Sequence, residues 1–171
     1  MDVVKKPFMV AVSGVKNSGK TTFLEMLVKD LTDRGYQIAV IKHDGHEFEP
    51  DVKGTDTWRL RQSGAYGTAI FSKKQWMMTK QQYEMNEEKI AAFFSEADII
   101  FLEGFKYSRY PKFEIVRKAN SSESVCRAET LLALITDMEV HIPGVPVLGF
   151  EDWDKAADIV ELNCKYFKAS V

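Results

Sequence analysis
Apolar and polar residues alternate along this chain in blocks, and the blocks read as strands and helices taken in turn. Phe8 to Ser13 (FMVAVS) is a short, continuous apolar run, which is the mark of a strand buried on both faces. A polar, glycine-containing turn follows from Gly14 to Gly19. From Thr21 onward Phe23, Leu24, Leu27 and Leu31 recur at helical spacing, and Gly35 supplies a stop. Ile38 to Ile41 is a second apolar run. Strand, helix and strand within about 30 residues form a βαβ unit, and such units build parallel sheets.

Beyond Ile41 the pattern loosens. Lys42 to Thr55 is polar and rich in His, Asp and Gly, and reads as a long functional loop. Asp56 to Ser63 predicts a short helix. Thr68 to Ser72 and Gln75 to Thr79 predict a hairpin around Lys73 and Lys74. Glu87 to Ala97 predicts a helix with Ile90, Phe93, Phe94 and Ala97 on its inner face. Further strands are expected at Asp98 to Leu102, Phe113 to Arg117, Leu131 to Ile135 and Pro146 to Leu148. A last helix, Asp152 to Phe167, would bury Trp153, Ala156, Ala157, Val160, Cys164 and Phe167. No linker divides residues 1–171, so the expectation is one three-layer α/β domain. Its sheet is mostly parallel with helices on both faces, and a hairpin extension lies at about residues 68–79.

Composition narrows the functional classes. With 171 residues, 45% of them hydrophobic, the chain is long enough for a sizeable core. A net charge of −2 without clustered Lys and Arg argues against general nucleic-acid binding. No apolar run reaches the roughly 18 residues of a membrane span. The run after Lys5, Lys6 and Pro7 meets Ser13 and Gly14 too soon for a signal peptide, so a buried first strand is the better reading. Cys126 and Cys164 form no C-x-x-C pair and are expected to be reduced, as in a cytoplasmic protein.

The chemistry is concentrated in three places. Gly14-Val15-Lys16-Asn17-Ser18-Gly19-Lys20-Thr21 fits the phosphate-loop pattern G-x-x-x-x-G-K-[ST]. Composition alone would produce it in a chain of this length on the order of once in a few hundred, and here it lies between a predicted strand and a predicted helix. Glycines let backbone N–H groups approach phosphate oxygens, and the helix end adds its positive dipole. Lys20 would reach the β and γ phosphates, Thr21 would ligate Mg2+, and Thr22 would serve the α phosphate. Glu103, at the end of the apolar run IIFL, is the expected second acid for magnesium; the bland alternative is an ordinary charged strand end. Asp98, at the opposite end of that run, reads as a cap or a solvated charge. After the second strand come Lys42, His43 and His46, with Asp44, Glu47, Glu49 and Asp51 around them. Three readings stand for this loop: a switch or partner contact, a transition-metal site, or a solvated loop. His43 and Glu103 are the candidate catalytic residues.

Five segments, SGVKNSGKTT, IKHDGH, DTWRLRQSGA, LEGFK and PKFEIVR, together resemble the molybdopterin-guanine dinucleotide biosynthesis adaptor family over residues 8 to about 137. The resemblance implies the P-loop NTPase fold class that includes dethiobiotin synthetase and the nickel-chaperone GTPases. It also implies GTP with Mg2+ as ligands, slow hydrolysis, and assistance to a molybdenum cofactor guanylyltransferase that attaches GMP to molybdopterin. A homodimer is implied too, to which the hairpin would contribute. Lys106 and the stretch from Arg109 to Lys112 would either face the pterin phosphate or lie on a solvated surface. The chain departs from some relatives of the superfamily in having Val15, not Lys, directly after the first loop glycine. No N-K-x-D guanine motif is present; Thr136 and Asp137 are the candidate base contacts, and guanine itself rests on the resemblance. Two other functions compete: a small-molecule kinase or ligase like dethiobiotin synthetase, and a GTP-dependent metallochaperone.

Overall fold
In the computed structural model the described residues are 6–45, 48–82 and 84–170. The chain divides into two compact units, Met1–His43 with Glu87–Val171, and Asp44–Asn86.

The first unit is built on six parallel strands in the order β2-β5-β1-β6-β7-β8. The strands are β1 (Phe8–Gly14), β2 (Ile38–Lys42), β5 (Ile99–Glu103), β6 (Lys112–Val116), β7 (Leu131–Thr136) and β8 (Val147–Leu148). β1, β5 and β7 are apolar at consecutive positions because both of their faces are covered. One face carries Phe8, Val10, Val12, Ile99, Phe101, Phe113 and Ile115. It packs under α1 (Lys20–Asp33) and the C-terminal α4 (Trp153–Ser170), which contribute Leu27, Leu31, Ala157 and Val160. The other face carries Ala11, Ala39, Ile41, Ile100 and Leu102. Ile90 and Ala91 of α3 (Glu87–Ala91) pack against it.

The helix α1 ends as the pattern anticipates. Gly35 takes φ +90°, Gly35 N donates to Thr32 O at 2.9 Å and Tyr36 N to Leu31 O at 3.1 Å, a Schellman stop. The expected long helix over 87–97 is shorter. It gives way after Ala91 to a 3-10 turn, Ala92–Phe94, and the rotation of that turn leaves Phe93 and Phe94 exposed, contrary to their expected burial. Ala97 is buried as expected.

The second unit holds α2 (Asp56–Gln62) and an antiparallel hairpin of β3 (Gly67–Phe71) and β4 (Trp76–Lys80), each strand one residue from its expected place. Thr55 caps α2 by accepting from Trp58 N at 3.4 Å. Across the hairpin the hydroxyls of Thr68 and Thr79 meet at 2.7 Å. Ile70, Phe71, Trp76 and Met78 are exposed, Phe71 to 84%.

Candidate functional site
β1 lies inside the sheet, so its C-terminal end is flanked by the ends of β5 and β6. Residues leaving those three strands converge there, the crevice where open α/β sheets place ligands. Positive φ at Gly14 (138°), Asn17 (61°) and Gly19 (98°) turns the loop from β1 into α1. Gly14 has a second reason to be glycine, because a Cβ there would stand 2.4 Å from Ile115 O. The first backbone bond of α1 runs from Phe23 N to Gly19 O at 3.0 Å, so the N–H groups just before it have no intrahelical acceptor. Together with the helix dipole, such groups attract an anion.

The side chains converge too. Lys20 Nζ reaches across the loop and donates to Val15 O at 2.6 Å. Thr21 Oγ1 donates to Glu103 Oε1 at 2.9 Å, and Lys42 Nζ pairs with the same oxygen at 3.3 Å. The register Val12↔Glu103 and Lys42↔Glu103 aligns these strand ends. Glu103 is buried, with 8% exposure. Burial lowers the Lys20 pKa, and the charges of Lys42 and Lys106 lower it further against the opposing pull of Glu103. Three ammonium groups thus share the neighbourhood of one carboxylate, a balance that favours a polyanion. The Thr21 hydroxyl and the Glu103 carboxylate are hard oxygen donors of the kind Mg2+ takes, so the residues present fit that ion.

The remaining loop positions divide. Lys16, Asn17, Thr21 and Thr22 are exposed, while Ser18 is buried and its Oγ finds no partner among the described residues. Ser13 Oγ donates to Gly104 O and ties the start of the loop to the segment after Glu103. His43 is exposed; its N donates to Glu103 O at 3.3 Å and its ring meets the edge of Phe105 at 5.6 Å. His46 and Glu47 lie outside the described residues. Among the described residues no three of His, Cys, Asp and Glu gather as a metal site. Asp98 is no free charge: it accepts from Gln37 N at 3.0 Å and pairs with Lys168 at 2.7 Å. Thr136 is buried and its Oγ1 accepts from Met138 N at 3.1 Å, while Asp137 accepts from Lys118 N at 2.7 Å.

Lys112 requires a correction. The stretch from Arg109 to Lys112 is expected either to face an anion or to lie on a solvated surface, yet Lys112 is fully buried. Its Nζ donates to Phe105 O at 3.2 Å, Lys106 O at 3.3 Å and Ser108 O at 2.7 Å, so its charge is spent on the turn after Glu103. Burial holds its pKa below the ordinary lysine value. On the same face Glu114, 1% exposed, accepts from Ser124 Oγ and from Val125 N at 2.7 Å. Neither role was visible beforehand, since charged residues in a strand read as solvent-facing. Arg117 was also missed as a site residue. Its Nε donates to Ser18 O at 3.3 Å and its guanidinium lies 4.2 Å over the Phe150 ring. Its place at the end of the predicted strand Phe113 to Arg117 was the one available signal.

Residues 9–137 match the family described as MobB, Molybdopterin guanine dinucleotide synthesis protein B. Among similar chains, the probable molybdopterin-guanine dinucleotide biosynthesis adapter protein of Bacillus subtilis is 32% identical over 154 residues, 86% of this chain and 88% of that one. The molybdopterin-guanine dinucleotide biosynthesis adapter protein of Haemophilus influenzae is 28% identical over 156 residues, 90% of this chain and 87% of that one. The crystal structure of Bacillus subtilis MobB superposes with a TM-score of 0.71 at 29% identity, covering 91% of this chain and 96% of that one.

Proposed function
The chain belongs to the molybdopterin guanine dinucleotide synthesis protein B family, and we propose that it is a GTP-binding adapter in the making of the guanine dinucleotide form of the molybdenum cofactor. The observation that carries the nucleotide reading is the hydroxyl–carboxylate pair of Thr21 and Glu103, 2.9 Å apart, at the mouth of a loop spanned by Lys20. In this reading the backbone from Gly14 to Thr22 surrounds the phosphates. Lys20 leaves Val15 O for the β and γ phosphates, and Thr21 and Glu103 hold Mg2+. Bound Mg2+ would neutralise phosphate charge. Lys42, released from Glu103, adds a cation at the same end of the sheet. His43 stands beside Glu103, and among the described residues no acid hydrogen-bonds its ring to orient it, which fits slow hydrolysis.

The adapter role comes from the names of the relatives, and it calls for a guanylyltransferase as partner. Lys106 and Arg109 are the cations left to face the phosphate of molybdopterin now that Lys112 is withdrawn. A homodimer suits the hairpin, because a lone two-stranded sheet with Ile70, Phe71, Trp76 and Met78 exposed is marginal in water.

The test is GTP and ATP binding and hydrolysis, with and without the guanylyltransferase. We expect GTP preference, slow turnover alone, and loss of triphosphate binding in Lys20→Ala with an unchanged circular dichroism spectrum. Fast turnover alone with either nucleotide would favour the kinase reading and sink the adapter. Retained affinity in Lys20→Ala would sink the phosphate-loop assignment.

A further inference from the structure
A loop that binds an anion through its N–H groups must turn its carbonyls away and give them other partners. Here three loop carbonyls accept side-chain donors. Lys20 serves Val15 O, Asn120 Nδ2 serves Lys16 O at 3.4 Å, and Arg117 Nε serves Ser18 O at 3.3 Å. Lys20 is the donor that must leave when phosphate arrives. The other two come from one short segment after β6, and that segment is itself pinned. Lys118 N donates to Asp137 Oδ1 at 2.7 Å, and Asn120 N and Ser121 N donate to Arg117 O at 2.8 and 2.9 Å. Further on, Ser124, Val125 and Cys126 are gathered by the buried carboxylate of Glu114. Glu114 stands opposite Ser13 in the β1–β6 register, so the strands that carry the loop also carry the anchor.

Arg117 shows the most about this arrangement. Its guanidinium is half-buried between the Phe150 ring and the loop, and a Cβ on Gly19 would lie 3.3 Å from its Nη2. Among the described residues no carboxylate pairs with it, so its charge is left to act on whatever the loop holds. An acidic partner would have cancelled that charge.

We propose that residues 117–126 form a rigid brace for the phosphate loop, with Arg117 and Asn120 as positioning residues that hold its carbonyls outward and add positive charge behind it. This rests on the nucleotide reading above. Because the loop shape is common to di- and triphosphate, the brace acts on both alike, whereas a contact to the γ phosphate would act on the triphosphate alone.

The experiment is titration of wild type, Arg117→Met, Arg117→Lys and Asn120→Ala with GDP and GTP in Mg2+, alongside thermal melts. Arg117→Met keeps the packing on Phe150 and is expected to weaken both nucleotides by a similar factor, roughly ten- to hundredfold for one lost charge-assisted bond. Arg117→Lys should recover part of the loss, since it restores charge without the planar fork. Asn120→Ala should cost a few-fold for both. Combined with Arg117→Met, it should lose less than the product of the two factors, because both act on one loop. Binding of both nucleotides within twofold of wild type in Arg117→Met overturns the brace. Loss of GTP affinity with GDP unchanged overturns it as well. If Arg117→Met does not fold, unchanged affinities in both Arg117→Lys and Asn120→Ala overturn it. Wild type that binds neither nucleotide, or a Lys20→Ala control that binds both, would instead remove the nucleotide reading beneath it.

Discussion
Replacing Gly14 by alanine isolates a single steric contact at the heart of the site. Gly14 has φ +138°, and a Cβ there would meet Ile115 O at 2.4 Å and Ser18 Oγ at 3.0 Å. The Ser18 hydroxyl can turn aside, but Ile115 O belongs to the backbone of β6, which is held on both sides in the sheet. Two costs follow. An L side chain at positive φ costs about 1–2 kcal/mol, and forcing β6 to shift is an overpacking cost of about 1–3 kcal/mol. Gly35 offers the matched control. It has φ +90° and nothing within 4 Å of its added Cβ, so Gly35→Ala carries the conformational cost without the clash. The entropy that alanine removes from the unfolded chain is similar for both and cancels in the comparison. Calorimetric melting without nucleotide should place Gly14→Ala below Gly35→Ala by roughly 2–12 °C, taking about 2–4 °C per kcal/mol for a chain of this size. Equal melting temperatures for the two variants would refute the claim that β1 and β6 are locked against each other at this point.

Glu103→Gln keeps the shape of the side chain but offers a divalent cation a neutral amide in place of a carboxylate; the magnesium concentration for half-maximal GTP hydrolysis should rise roughly tenfold, and an unchanged titration would reject the role. The Tyr36 phenol is raised to about 12, chiefly by burial and then by its hydrogen bond to Glu161. Its folded pKa exceeds the unfolded value near 10, so its contribution is present below pH 10 and is lost as pH climbs toward 12. Urea denaturation over that range should show wild type losing stability faster than Tyr36→Phe, and parallel curves would contradict the assignment. Burial, and secondarily Glu114, push the Cys126 thiol up to about 12, so a disulfide reagent at pH 8 should label it far more slowly than a free cysteine until denaturant is added. Labelling of the folded protein at the free-thiol rate would show that the segment 117–126 opens readily.

What the sequence disclosed, and what it withheld, follows from the range of the interactions. The apolar runs of β1, β5 and β7 are legible because two-sided burial leaves few polar positions in those strands, whereas β2, at the sheet edge with Val40 exposed, is legible from its apolar residues alone. The nearness of Thr21 and Glu103 has a related cause: a parallel sheet sets the C-terminal ends of β1 and β5 side by side, Glu103 ends β5, and Thr21 follows the loop that leaves β1. Lys112 and Glu114 break that logic. They occupy inward positions of β6, and most of their partners are backbone groups of neighbouring turns, which leave no trace in residue identity. Arg117, Ser18 and Phe150 form one contact from three distant stretches of chain, beyond the reach of local pattern. Phe93 and Phe94 were placed inward by a helical period that the backbone abandons at Ala92.

The strand order also has a consequence for how the chain is made. β1 leaves the ribosome well before its partners β5 and β6, which begin only at Ile99 and Lys112. Until those residues emerge, the segment from Gly14 to Thr22 is a nucleotide motif without a floor. It lacks the Glu103 carboxylate on one side and the Ile115 carbonyl on the other. Such long-range parallel pairing is slow to form. On the proposed nucleotide reading, GTP would stabilise only a chain that has already extended through β6. A fragment that stops short of Glu103 would keep the whole motif and have no site.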